Sequence, residues 1–205
     1  QNGRTYDLGS MDLNAGSYSD ISFILDSDNP AYVQYKDNTT SKIDFENSSN
    51  EYEVVGEFEI TAESQTDLVA DVDLRKALVK TSTEGEFMMR STARLIEANA
   101  SGTISGTISN YNEMKTDMEE REVEGKTVVF AYTKGSYSEA EKGDPDGSGV
   151  KGRFENAVNS AVVAEDGTFT LAFMNEADYE IVVASFEKSK TEPESKEYEF
   201  SSLIE

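Results

Sequence analysis

The chain has 205 residues and a formal net charge of −23, from 41 acidic and 18 basic side chains, with no Cys, His or Trp. Without Cys or His there is no zinc finger, haem or iron–sulfur ligation, disulfide, Cys–His pair or Ser–His–Asp triad. The acidity argues against a nucleic-acid partner, which calls for clustered Lys and Arg, and no apolar run approaches the ~20 residues of a membrane-spanning helix.

Strand patterns dominate in chain order. Residues 21–25 (ISFIL) and 31–35 (AYVQY) read as strands around a turn at Asp26–Pro30. The run EYEVVGEFEI puts Tyr52, Val54, Phe58 and Ile60 on one face and Glu51, Glu53, Glu57 and Glu59 on the other, the period of a half-buried strand. Leu68, Ala70, Val72 and Leu74 repeat it. LRKALVK (74–80) has the composition of one or two helical turns, and strands follow at 86–90 and 93–97.

The small, polar stretch EANASGT then marks a boundary near Asn99–Gly102. Beyond it GTISGTIS (102–109) reads as one strand with small residues on one face, and 113–125 as a short helix or a charged loop. Strands are predicted at 127–133, 159–165, 167–174, 178–186 and 197–202, with a two-residue hairpin at Asp166-Gly167. Many short strands with turn residues between them predict an all-β protein of two tandem β-sandwiches, 1–99 and 100–205, with little helix.

One loop has metal-ligand spacing. In DPDGSGVKGRFE, Asp144, Asp146 and Ser148 fall at positions 1, 3 and 5 of a twelve-residue calcium loop. Gly149 takes the turn, Val150 offers its carbonyl at position 7, and Glu155 stands at position 12. Calcium wants six to eight hard oxygens, and the glycine lets the chain curl round the ion. The pattern departs at Lys151, where an apolar residue usually packs, and no amphipathic helix flanks it. The other reading is a solvated loop rich in Asp and Gly.

Catalytic chemistry is poorly served. Asp71 and Asp73 share a predicted strand face about 7 Å apart, but nothing marks either acid as desolvated, as catalysis requires. Tyr32, Tyr35, Tyr52, Tyr132 and Tyr137 are candidates for a sugar-stacking surface where exposed. Asn38, Asn47 and Asn99 stand in N-x-S/T sequons, which matter only in a eukaryotic secreted protein.

The segment L-G-x-M-x-L-x-A-G-x-Y-x-x-I (Leu8 to Ile21), the run from Thr66 to Val79 and Arg94-Leu95-Ile96 resemble the second half of a domain-of-unknown-function family common in cell-envelope lipoproteins of Bacteroidota and related bacteria. The following half, with SGTISGTI (101–108), VVFAY (128–132) and DGTFTLAF…DYEI (166–181), resembles the transthyretin-like, carboxypeptidase-regulatory-type sandwich. The resemblance implies an envelope or extracellular location, no enzyme activity, and no functional residue to carry over. It also implies strands ahead of Leu8, where this sequence has only about seven residues. A first sandwich lacking its opening strands would present an open edge, and a strand donated by another copy would fill it.

Three functions follow as expectations. The first is a non-enzymatic surface structural or adhesive protein, a pilus-like filament subunit completed by β-strand donation. The second is an envelope-attached module binding glycan or another surface ligand. The third is a hydrolase using paired carboxylates. Composition and motif favour the first.

Overall fold

The structure, a computed structural model, describes residues 5–46, 50–81, 83, 85–143, 153–190 and 198–204. The protein is all-β, with two short helices and two single 3-10 turns among the described residues. The chain divides into two compact units. The first contains 5–100 together with 153–155, and the second contains 101–143 and 156–204.

The first unit carries β1 (Gly16–Ile24), β2 (Tyr32–Gln34), β3 (Thr40–Phe45), β4 (Glu51–Ile60), β5 (Leu68–Asp71), the helical turn α1 (Leu74–Ala77), β6 (Leu78–Lys80), β7 (Phe87–Met89) and β8 (Arg94–Glu97). They form two four-stranded sheets, ordered β1-β4-β8-β5 and β2-β3-β7-β6. β4 runs parallel to β8, and β3 parallel to β7. Alternation on β4 is as predicted: Tyr52, Val54 and Phe58 are buried, while Glu53, Glu57 and Glu59 are exposed. Tyr52 and Val54 meet Phe45 and Met89 of the other sheet, so the core lies between two layers. Gly56 is required where β4 lies alongside β8. A Cβ there would lie 2.6 Å from Leu95 Cβ and 2.7 Å from its carbonyl oxygen.

The helix predicted at 74–80 is a single turn. Asp73 caps it by accepting the Arg75 N–H at 3.0 Å. At Leu78 the backbone becomes extended, and Val79 and Lys80 pair with β7 instead. Asp71 and Asp73 therefore do not share a strand face. β5 ends at Asp71, which pairs with Arg94, and Asp73 belongs to the cap.

The second unit holds β9 (Gly102–Thr107), α2 (Tyr111–Glu120), β10 (Val123–Thr133), β11 (Asn159–Val162), β12 (Thr168–Met174), β13 (Tyr179–Ser189) and β14 (Glu199–Ile204). One sheet is ordered β11-β10-β13-β14, and β9 pairs with β12 in a second. β10 is buried on both faces. Val129 and Ala131 join Leu171 and Met174 in the core, while Phe130 on the other face neighbours Phe186, which in turn meets Phe200. The small residues of β9 have a packing role: Gly106 lies opposite Phe169, whose ring a Cβ would meet at 2.6 Å.

Asp166-Gly167 does turn the chain, but not as a two-residue hairpin. Ala164 N–H donates to the Thr168 carbonyl at 2.8 Å, which leaves three residues in the loop, and Gly167 takes φ +84°. The flanking strands then enter different sheets, β11 beside β10 and β12 beside β9.

Candidate functional site: an unpaired edge and an arginine-held segment

Two features of the first unit depart from what folding alone requires. The first is its outer edge. Among the described residues β1 is a terminal strand of its sheet, nine residues long, with β4 on one side only. Its other side presents a row of backbone N–H and C=O groups. Edges are commonly blunted by Lys, Pro or shortness, yet residues 5–24 contain no Lys, Arg or Pro. β1 does carry a bulge between Tyr18 and Asp20, a device that twists part of an edge away from pairing. Just ahead of β1, residues 5–14 form neither helix nor strand. Here Tyr6 and Leu8 are 75% exposed and Met11 is 71% exposed. Large apolar groups this open, in the stretch leading into an edge strand, suit contact with another chain.

The second feature is a small polar cluster. Arg75 Nη2 donates to Asp73 Oδ2 at 3.0 Å, and Nη1 donates to the carbonyl oxygens of Arg153 at 2.8 Å and Phe154 at 3.0 Å. Arg90 Nη1 donates to Glu155 Oε1 at 3.2 Å and to the Lys76 carbonyl at 3.3 Å. Phe154 is fully buried, with φ 56°, in the left-handed region. Lys76 lies in the same cluster. Burial, reinforced by the Arg75 charge, holds its ammonium below the usual lysine range. Arginine suits such a place because its planar fork meets two carbonyls or a carboxylate and stays charged.

The predicted calcium ligands fare unevenly. Asp144, Asp146, Ser148 and Val150 lie outside the described residues. Glu155 is described, and its carboxylate accepts from Arg90. Among the described residues no group of three or more acids is placed to hold a metal ion. The tyrosines differ in exposure. Tyr52 and Tyr132 are buried, Tyr137 packs edge-on against Tyr132, and Tyr32 and Tyr35 are 59% and 40% exposed. Of the sequon residues, Asn38 and Asn99 are exposed and Asn47 lies outside the described residues.

Among the described residues three carboxylates have perturbed titration. Hydrogen bonds from Asn29, Thr168 and Arg121 hold Asp26, Asp166 and Glu187, respectively, below the ordinary carboxylate range. No helix of the described residues is long and apolar enough to cross a membrane.

Sequence reading missed Arg75, Arg90 and Phe154. A signal existed for the arginines: each interrupts an apolar run, LRKAL and FMMR, where a base must find partners to be buried. None existed for Phe154.

Residues 1–91 match the family model described as a domain of unknown function, DUF4382. Comparison with curated proteins and with solved structures finds no match.

Proposed function

We propose that this chain is a non-enzymatic structural or adhesive protein of the bacterial cell surface, a pilus-like filament subunit whose copies join by β-strand addition. One observation carries the reading: the nine-residue edge of β1, without Lys or Pro, preceded in the chain by exposed Tyr6, Leu8 and Met11. A strand laid there would satisfy the edge, and the partner's surface would cover the apolar groups. Head-to-tail repetition of such a contact gives an open filament. The envelope location and the transthyretin-like character of the second unit come from sequence resemblance alone.

Calcium enters this reading as a stabiliser of the 144–155 loop by mass action. Chelator then lowers the melting temperature, and Asp146→Ala abolishes that effect. Because Glu155 is bonded to Arg90, its use as a calcium ligand would exchange one partner for the other. The alternative, a surface module for glycan, rests on exposed Tyr32 and Tyr35.

The deciding experiment is negative-stain electron microscopy of protein from its native source, with gels run before and after boiling. Filaments and a heat-labile ladder support strand addition. A clean monomer overturns it and moves the case to the glycan module, tested by titration.

A further inference from the structure

We draw no further inference here: the strongest candidate, the open cavity at the β1 bulge lined by Asp20, Glu57, Glu59, Glu97 and the stacked rings of Tyr18 and Phe58, is a cluster of carboxylates on the edge already described, and nothing in the structure shows what it binds.

Discussion

The two units complete their cores differently. In the second, β10 is buried on both faces, and Phe130, Tyr132, Val129, Thr127 and Leu171 are all fully buried within a continuous ladder to β13. In the first, the strands are mostly short, and the fully buried large side chains are Val54 and Phe154. Phe154 comes from between β10 and β11, far along the chain. Meanwhile Tyr6, Leu8 and Met11 of the same unit stand exposed. A unit with its own apolar groups in solvent, and a ring taken from elsewhere, is organised around contacts its continuous stretch does not supply. On the proposed reading, association falls to the first unit.

The sharpest way to break the contrast is at its strongest point. Phe130→Ala removes a fully buried ring from β10 and should destabilise the second unit by about 3–5 kcal/mol, read as the urea midpoint of that unit. Phe154→Ala should act on the first unit instead. Its expected effect is about 3 kcal/mol, the low end of the same range, where the surroundings partly collapse into the space left. Two separable transitions, each moved by only one variant, would establish the division. A single transition moved equally by both would erase it.

Smaller effects sharpen the picture. Asp73→Ala removes the α1 cap and a partner of Arg75, with an expected loss of about 1 kcal/mol in the first unit. Acid should act mainly on the second. Glu187 accepts both terminal nitrogens of Arg121, at 2.8 and 2.9 Å, and this holds its carboxyl below the ordinary range. With the folded value depressed, the stabilisation is present above the ordinary carboxylate pKa and is lost as pH falls through the lower folded value. Thermal melts on an acid series should show the second unit weakening there, and Arg121→Ala should flatten that slope. An unchanged slope would remove the ion pair from the account.

How legible this was depends on the range of the forces involved. Local pattern sufficed for β4, whose buried and exposed residues alternate as read, and for β10, β12 and β13, where long apolar runs leave few alternatives. It failed where neighbours decide. Residues 78–80 have helix-compatible composition, but pairing with β7 draws them into a strand. Asp166-Gly167 signals a turn, yet which sheets its strands join is settled by distant partners. For the candidate site, Glu155 was singled out for its spacing to Asp144, whereas its observed partner is Arg90, 65 residues away. No local rule connects them. The β1 edge was legible only as an open side; the exposure of Tyr6, Leu8 and Met11 had to be seen.

The smallest effect on stability tests the function most directly. Tyr6→Ser with Leu8→Ser alters two side chains that are three-quarters exposed in a segment outside any helix or strand. Surface changes of this kind usually stay within about 0.5 kcal/mol, so both melting transitions should be nearly unmoved. Association should not be. If a second copy lays a strand along β1, these groups lose their water in the contact, and removing them takes away part of the apolar area that drives it. The double variant should therefore need a higher protein concentration to assemble, as read by sedimentation and by filament counts in stain. Adding salt supplies the control. With a net charge of −23 on each copy, salt should screen repulsion and promote assembly of the native protein, and the variant should lag behind it at every salt concentration. Equal assembly of the two proteins would place the contact elsewhere and leave the exposed apolar groups without a role in it.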